Sequence, residues 1–499
     1  MTPKTKILIV SESPVLPTGI AETTRLIFGN LLDNHSDRYE LHQIGLYHSL
    51  AVAEPKWPIY ATKTVEGKDG ETFLAPDDLH GQKTFQEIVS EVRPDIVFAF
   101  NDPQRLHHLC VDPNERPYKL ILYLKTDGFP IPADAGRILN KADLILTMSD
   151  WSRSELLSCC PSIDPDKLDY LYSPADTSRF TPVSDVEKMD LRDALLPDWM
   201  PRNAFLLGWV GQNRWRKQVW ILYKAIHYLR CGKYFVCSDC GGVSLFDWDP
   251  LEGCHLEQAK CVLESRPGYK YDACVHCGSG KIQSADPLGD IFLWLQMPHD
   301  DPLGDWPLHR LEHGFAVKRG EDVYYTEGCG LKAALAPTDM PTLYQLWDCL
   351  LYLSGGEGFG LPAWEAMCSA LPVIYTTHSS HAEFLGMASA GLAVDGILQP
   401  EGKTGFWRMI ADVPNAVEAV RKLYFDRELG RTLGSHGRSF VQQYSLKLQG
   451  ELWHRIFQGR DRRVYPTGSR TRKWGDTPKR SNAGAKAKEL GKSGCSAWS

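Results

Sequence analysis

The feature that most constrains the fold is an alternation of short apolar runs with helix-like segments, which occurs twice along the chain. The apolar runs of the first half are Lys6–Ser11, Asp95–Phe100, Lys119–Leu124 and Asp143–Met148. The second half repeats the pattern at Ala204–Gln212, Asp290–Gln296, Val323–Gly328, Leu350–Gly356 and Pro372–Thr377. Runs that are apolar on both faces are typical of parallel strands covered by helices. The sequence therefore predicts an α/β fold with two doubly wound, Rossmann-like halves.

The chain is long enough for several parts, and the boundaries between them can be predicted. We expect a hinge near residues 183–200, a first domain over 1–190 and a second over 191–458. Ligands of such sheets bind at the carboxyl ends of the strands, so a cleft between the halves is the expected site.

About sixty residues rich in glycine, cysteine and aromatic side chains interrupt the second half, and we predict an inserted module over 231–288. Within it, C-x2-C pairs with 33 residues between them form a pattern typical of a structural, ribbon-like zinc site, whose ligands would be Cys237, Cys240, Cys274 and Cys277. Free thiols are the alternative. A second metal site, formed by Cys231, Cys254, His255 and Cys261, is a further alternative, although the spacing of these residues is irregular.

Charge is unevenly distributed along the chain. The net charge is -7, yet residues 460–499 carry eleven Lys or Arg against three acids. We predict a disordered basic tail over 459–499 that suits an anionic partner, the alternative being a solvated tail that only aids solubility. The first apolar run is too short for a signal peptide, and no run approaches a membrane span. We expect a soluble, cytoplasmic protein, in the host cytoplasm if it is viral.

A glycine-rich stretch with two acids is the most specific motif. Ser354–Met367 reads SGGEGFGLPAWEAM, in which Glu357 and Glu365 flank a predicted strand-to-helix turn. Backbone amides and the positive end of a helix dipole suit phosphate, and carboxylates accept hydrogen bonds from sugar hydroxyls. A structural turn is the alternative.

This motif, with LPVIYTT after it, resembles the paired-glutamate motif of family 4 retaining glycosyltransferases, which have the GT-B fold. The resemblance covers Lys6 to about Phe457, apart from the cysteine insertion. It implies that Glu357 contacts the donor sugar and that Glu365 holds the ribose of a nucleotide sugar such as a UDP-sugar. The loop residues it adds to the donor site are Gly358, Phe359, Gly360 and Leu361.

A basic turn follows the first strand of the second half. The resemblance implies that Arg216 and Lys217 reach the donor diphosphate and act in catalysis, with Asn213 and Arg214 in the donor site. Fixed cations that neutralise the departing diphosphate remove the need for a catalytic metal. An exposed basic turn is the alternative.

Weaker candidates lie in the loops of the first half. Gly19 resembles the glycine by which the family brings backbone close to the donor, and Asp127 stands where the family places a polar residue beside the sugar, as a catalytic candidate or a plain Asp-Gly turn. Asn101 and Asp102 are acceptor-side candidates or a loop start. Glu383 matches a family glutamate weakly.

The predicted function is transfer of a sugar from a nucleotide sugar to a hydroxyl, with retention of configuration. Zinc modules, and tails that combine basic residues with aromatic ones such as Tyr465 and Trp474, are common in proteins that bind nucleic acids. The chain also resembles bacteriophage members of the family that modify hydroxymethylcytosine-type bases in DNA. A DNA acceptor is therefore the leading hypothesis. A polysaccharide, lipid or small-molecule acceptor is the rival, and a non-catalytic binding protein is a third class.

Overall fold

The computed structural model describes residues 3–48, 56–66, 72–232, 234–245, 274, 276–326 and 339–459. The strands in these residues are β1 Thr5–Glu12, β2 Tyr39–Leu46, β3 Ile59–Ala61, β4 Thr64–Glu66, β5 Thr72–Leu74, β6 Ile96–Asn101, β7 Lys119–Leu124, β8 Leu144–Thr147, β9 Leu168–Tyr170, β10 Phe205–Val210, β11 Tyr234–Cys237, β12 Val243–Leu245, β13 Ile282–Ser284, β14 Ile291–Gln296, β15 Val323–Tyr325, β16 Cys349–Tyr352, β17 Val373–Thr376, β18 Gly391–Val394, β19 Gly396–Pro400 and β20 Trp407–Ala411.

The helices alternate with these strands. They are α1 Gly19–His35, α2 Gln82–Val92, α3 Pro103–Leu106, α4 Ala135–Leu139, α5 Asp150–Cys159, α6 Asp185–Leu195, α7 Val219–Cys231, α8 Leu308–Gly314, α9 Met340–Leu346, α10 Leu361–Cys368, α11 Ser379–Ala388, α12 Val413–Phe425, α13 Arg427–Val441 and α14 Leu446–Phe457. Short 3-10 turns lie at His107–Leu109, Pro113–Glu115, Trp215–Lys217 and Gln442–Tyr444. Within the described residues, no helix is long and apolar enough to cross a membrane.

The first half is built on a seven-stranded parallel sheet in the order β3-β2-β1-β6-β7-β8-β9. Its central strands are buried along almost their whole length, as the continuous apolar runs predict. The strand order reverses beside β1, because β2 pairs on one side of it and β6 on the other. The loops after β1 and β6 therefore border a crevice at the carboxyl edge of the sheet.

The second half repeats this plan with a six-stranded parallel sheet in the order β15-β14-β10-β16-β17-β18. Here the order reverses at β10, which pairs with β14 on one side and β16 on the other. The loops after β10 and β16 flank this reversal. The prediction of two doubly wound, Rossmann-like halves is confirmed.

The last helix of the described residues, α14, crosses back to the first half. Helix α14 packs against α1, where the rings of Phe28 and Phe457 stack with centroids 5.7 Å apart. The Tyr39 hydroxyl also hydrogen-bonds with Nδ1 of His454 at 2.9 Å. The boundary of the second domain at residue 458 stays a prediction, and its last helix is structurally part of the first half.

Within the predicted insertion, the described residues form a small antiparallel sheet in the order β12-β11-β13. Val243 of β12 is buried in the core of the second half, beside helix α12. Residues 246–273 of the module, which include Cys254, His255 and Cys261, lie outside the described residues. The same is true of the predicted basic tail from residue 460 onward.

Candidate functional site

The predicted donor residues lie on the two loops that flank the strand-order reversal of the second sheet. Arg216 and Lys217 form a 3-10 turn after β10, and Glu357 lies between β16 and α10. The loops are joined by a hydrogen bond from the Gly355 amide to the Arg216 carbonyl, at 2.7 Å. Parallel strands bring their carboxyl ends to one edge, and so residues about 140 positions apart meet.

Glu357 is the centre of a buried ion-pair cluster. One carboxylate oxygen lies 2.5 Å from Lys217 Nζ, and the other lies 2.7 Å from Arg216 Nη1. Burial opposes ionisation of Glu357, but the two cations hold its pKa well below the usual range. Burial lowers the pKa of Lys217 to about 8, against the attraction of Glu357. The cluster therefore combines one firmly ionised acid with two cations.

Asp127 brings the first half into the same cluster. Its carboxylate lies 3.1 Å from Arg216 Nε and 3.4 Å from Arg408 Nη2. Burial alone would raise the pKa of Asp127. The nearby cations, Arg216 above all, outweigh this and lower it below its usual value. Because Asp127 follows β7 and the two arginines belong to the second half, these contacts cross the cleft. The structure brings together all four residues predicted to be catalytic.

Arg408 is a site residue that sequence reasoning missed. It lies on β20 of a two-stranded ribbon, its side chain is only 5% exposed, and Nε lies 2.9 Å from a Glu401 carboxylate oxygen. The Trp407 amide donates to the Phe129 carbonyl at 2.8 Å, and the Met409 amide to the Gly355 carbonyl at 2.9 Å, so the ribbon touches both sides of the cleft. A lone arginine within the apolar stretch FWRMI was the available signal.

The glycines of the motif are required by neighbouring protein groups. A Cβ on Gly358 would lie 2.4 Å from Cγ of Lys125, and one on Gly356 would lie 3.0 Å from the Asp127 carbonyl oxygen. Gly360 adopts a φ of +107°, a backbone conformation that residues other than glycine rarely take. Close approach to a donor stays a prediction. The close approach that is observed is between the two halves.

The second acid of the motif lies apart from the ion-pair cluster. Glu365, on α10, accepts a hydrogen bond of 2.7 Å from the hydroxyl of Tyr344, which the sequence had not suggested. Burial raises the pKa of Glu365 to about 7, against the hydrogen bond from Tyr344. The pKa values of the two glutamates are therefore shifted in opposite directions, that of Glu357 downward and that of Glu365 upward.

Other predicted donor residues have structural partners. Asn213 is buried, and its side chain donates to the Trp306 carbonyl at 2.7 Å and accepts from the Trp306 amide at 3.1 Å. Arg214 donates to the Leu303 carbonyl at 2.7 Å. Phe359 is buried among aromatic rings next to Tyr172. These three residues stabilise the walls of the site.

Gly19 and Leu361 meet across the cleft, since a Cβ on Gly19 would lie 3.2 Å from Cδ1 of Leu361. Gly19 begins α1, whose N-cap Thr18 accepts from the Ala21 amide at 3.2 Å. The predicted approach of this backbone to the donor stays a prediction, and the contact observed at Gly19 is with a side chain of the second half.

Glu383 connects the two halves from a position on α11. Its carboxylate accepts hydrogen bonds from the Tyr172 hydroxyl and from the amides of Asp150 and Trp151, all in the first half. Burial raises the pKa of Glu383 to about 7, against these hydrogen bonds. Its observed contacts are those of an interdomain strut.

A potential metal site lies in the inserted module. The sulfur atoms of Cys237, Cys240, Cys274 and Cys277 all lie within 4.8 Å of one another. Among the described residues no other group of three or more His, Cys, Asp or Glu side chains has this spacing. None of the four belongs to the cluster around Glu357.

Comparison with known proteins gives a family match within the second half. Residues 327–440, which contain Glu357 and Glu365, match the family model described as Glycosyl transferases group 1. Trehalose synthases of Thermococcus litoralis and Pyrococcus furiosus are each 25% identical to the chain over 167 residues. That region is 33% of this chain and 34% of each relative, so the chain spans about a third of the length of these relatives.

Solved structures match most of the chain at low identity. HepE of Anabaena, in complex with UDP and glucose, is 13% identical, with a TM-score of 0.61 over 91% of this chain and 100% of that one. Sucrose-phosphate synthase of Thermosynechococcus elongatus is also 13% identical, with a TM-score of 0.60 over 91% and 100%. The glycosyltransferase WaaG is 12% identical, with a TM-score of 0.56 over the same shares.

These likenesses, with the two parallel sheets, show that the chain has the GT-B fold. The matched domain and the fold support the predicted class, a glycosyltransferase, and its use of a nucleotide sugar is taken up as a proposal below. The predicted resemblance to phage DNA-modifying members stays a prediction.

Proposed function

We propose that this protein is a retaining glycosyltransferase that moves a sugar from a nucleotide sugar to a hydroxyl group. The observation that carries the proposal is the ion-pair cluster of Glu357, Arg216 and Lys217, which lies at the strand-order reversal of the second sheet and faces Asp127 across the cleft. Ligands of open α/β sheets bind at such reversals.

The cations have a direct use in this reaction. As the bond between the sugar and the diphosphate breaks, negative charge grows on the departing oxygen. Arg216 and Lys217 are fixed by Glu357 and are only 18% and 8% exposed, so they would stabilise that charge without a metal ion. A low-dielectric setting strengthens this effect.

The two glutamates of the motif would accept hydrogen bonds from the hydroxyl groups of the donor. Glu357 stays ionised and would accept from the sugar, while Glu365 would accept from the ribose. Asp127, from the first half, would orient the sugar ring or the acceptor. Retention requires the acceptor oxygen to attack the face from which the diphosphate leaves.

We propose a hydroxymethylated pyrimidine base of DNA as the acceptor. The proposal is supported by the four-cysteine cluster and by the sequence of residues 460–499, in which eleven basic residues and three acids accompany aromatic side chains. An enzyme that modifies a base in a duplex reads it in the major groove or flips it out.

A carbohydrate or small-molecule acceptor is the second candidate, and two observations favour it. Among the described residues, the buried Asn101 Nδ2 and Thr126 Oγ1 have no hydrogen-bond partner, and they lie at the carboxyl ends of the adjacent strands β6 and β7. Neutral groups of this kind suit the hydroxyls of a sugar. Several similar proteins are also named for sugar products, trehalose synthase and sucrose-phosphate synthase among them.

A donor and acceptor screen tests both steps of the proposal. The protein would be incubated with labelled UDP-glucose and other nucleotide sugars, and with hydroxymethylated duplex DNA, unmodified duplex DNA or free sugars. Label in hydroxymethylated DNA alone supports the DNA acceptor, and label in free sugars alone supports the second candidate. No transfer from any donor to any acceptor, and no donor hydrolysis, would refute the glycosyltransferase proposal.

Truncation separates the role of the tail from that of the active site. If the tail contacts DNA, a chain lacking residues 460–499 binds DNA more weakly, with a shallower dependence of affinity on salt. Donor hydrolysis should not change, because Glu357 and its partners are intact. Equal DNA affinity and salt dependence in both chains would exclude the tail as a DNA contact.

A further inference from the structure

The four cysteines of the inserted module form a compact sulfur cluster from two separate segments. Cys237 Sγ lies 3.7 Å from Cys277 Sγ, and Cys240 Sγ lies 3.6 Å from Cys274 Sγ. A tetrahedral ion with metal–sulfur bonds of about 2.3 Å holds its sulfurs about 3.8 Å apart. The observed separations therefore fit one tetrahedral thiolate site.

Both segments have the same backbone turn. In the first, the Cys237 amide donates to the Gly242 carbonyl at 3.0 Å, and the Gly241 amide donates back to the Cys237 carbonyl at 2.9 Å. In the second, the Cys274 amide donates to the Ser279 carbonyl at 2.7 Å, and the Gly278 amide donates to the Cys274 carbonyl at 2.8 Å. Two loops with the same turn thus present their cysteines to a shared centre.

The turns also stabilise negative charge on sulfur. The Gly242 amide donates to Cys240 Sγ, and the His276 amide donates to Cys274 Sγ, both at 3.4 Å. Gly241 and Gly278 adopt φ values of +72° and +74°, which glycine takes at little cost. Amides directed at sulfur are what a thiolate requires, since hydrogen bonding favours the charged form.

The obvious competing assignments fit the geometry less well. Disulfide sulfurs are about 2.05 Å apart, far closer than either pair here. The His276 side chain lies in the second turn, and its Nε2 is 3.1 Å from the Val243 carbonyl oxygen. Among the residues that the structure describes, the ligand set is therefore four cysteines.

We propose that Cys237, Cys240, Cys274 and Cys277 bind one structural zinc ion, which joins the two turns at the outer end of the small sheet. Four thiolates leave no open coordination position, so the ion has no role in the transfer reaction. The proposal does not depend on the glycosyltransferase assignment.

The position of the cluster supports a structural role. The small sheet follows the C-terminus of α7, whereas Arg216 and Lys217 precede its N-terminus, so roughly 20 Å of helix separates the two sites. Tyr234 of β11 is buried and accepts a hydrogen bond of 2.6 Å from Arg421 on α12. Zinc would hold the outer end of a sheet whose inner end is already anchored by packing.

Metal analysis of the full chain tests the proposal. The protein, purified without a histidine tag in metal-depleted buffer, should contain one zinc per chain by mass spectrometry, with iron near background. Zinc-edge X-ray absorption should give four sulfur neighbours at about 2.3 Å. Nitrogen or oxygen neighbours, a bound iron in place of zinc, or two disulfides in the intact mass would overturn it.

Serine variants localise the site. Cys240→Ser and Cys274→Ser should each lose most of the zinc, whereas Cys159→Ser, which lies outside the cluster, should keep it. Cobalt-reconstituted protein should show the visible bands of tetrahedral thiolate coordination, and Cys240→Ser should not. Full zinc content in both cluster variants would refute the ligand assignment. If these variants unfold, the absorption measurement on the unchanged chain decides the question.

Discussion

Lys217 and Glu357 form a buried ion pair, 2.5 Å from Nζ to the carboxylate, although 140 residues separate them in the sequence. The pair joins the turn after β10 to the loop after β16. It also fixes the charge state of the site, since burial alone would favour neutral forms of both groups. In the proposed reaction, such pre-positioned charge would stabilise the departing diphosphate.

Removal of the acid at the centre should stop transfer without unfolding the chain. Glu357→Gln keeps the shape but leaves Lys217 without its buried counter-ion and Arg216 with Asp127 alone, and we expect kcat to fall by about 10²–10³-fold. Steady-state kinetics with the acceptor found in the screen would measure this. Glu428→Gln, at a 75% exposed position, is the matched control. Wild-type kcat in Glu357→Gln would refute the site assignment.

The cations should make a divalent metal unnecessary. With magnesium omitted and EDTA present, we expect turnover within about twofold of the untreated rate, while Arg216→Met should lower kcat by about 10²–10³-fold. Initial rates under the two conditions provide the measurement. Loss of activity in EDTA that magnesium restores would contradict this prediction.

Donor binding should be strongest between about pH 7 and 8. Burial raises the pKa of Glu365 to about 7, so its carboxylate is lost as the pH falls below that value, and the ribose loses its acceptor. Burial lowers the pKa of Lys217 to about 8, so its charge is lost above that value. If binding needs the ionised acid and the charged lysine, affinity at pH 6 should be about sixfold below its maximum near pH 7.5.

Calorimetric titration of UDP-sugar across pH measures this profile. Glu365→Gln should bind more weakly overall and lose the acidic limb, whereas Lys217→Arg should lose the basic limb and keep the acidic one. Identical profiles in all three proteins would mean that neither group controls donor binding.

Arg408 should stabilise the closed arrangement of the cleft. Arg408→Met keeps the aliphatic stem but leaves Asp127 and Glu401 without a shared cation, and we expect the free energy of unfolding to fall by about 3 kcal/mol. Chemical denaturation gives the value. Arg431→Met, at a 59% exposed position, should change stability by less than about 0.5 kcal/mol. An equal change in the free energy of unfolding for the two substitutions would show that Arg408 does not stabilise the contact between the halves.

Glu383 should hold the halves together. Glu383→Ala deletes an acceptor for three cross-half hydrogen bonds, and we expect a loss of about 2–4 kcal/mol in the free energy of unfolding. Glu91→Ala, at an exposed position on α2, is the control. Comparable stability of the two variants would show that the strut contributes little.

Local patterns determined much of this molecule. Runs apolar on both faces specified parallel strands, and the two repeats of the pattern specified two sheets, because burial on both faces leaves few other structures. The glycine-rich motif and the basic turn were visible because their residue types and spacing are specific. The four residues predicted to be catalytic, from these motifs and from the loop after β7, do meet.

Tertiary structure alone decided which groups are partners. Arg408 meets Asp127 across 281 positions, and α14 crosses back onto the first half, because strand order and domain docking depend on long-range packing that no local pattern encodes. The same packing explains the glycines: Gly358 must be small because Lys125, from the other half, lies against it. The sequence by itself thus determined the chemistry available in the cleft, and the fold decided which charges face one another.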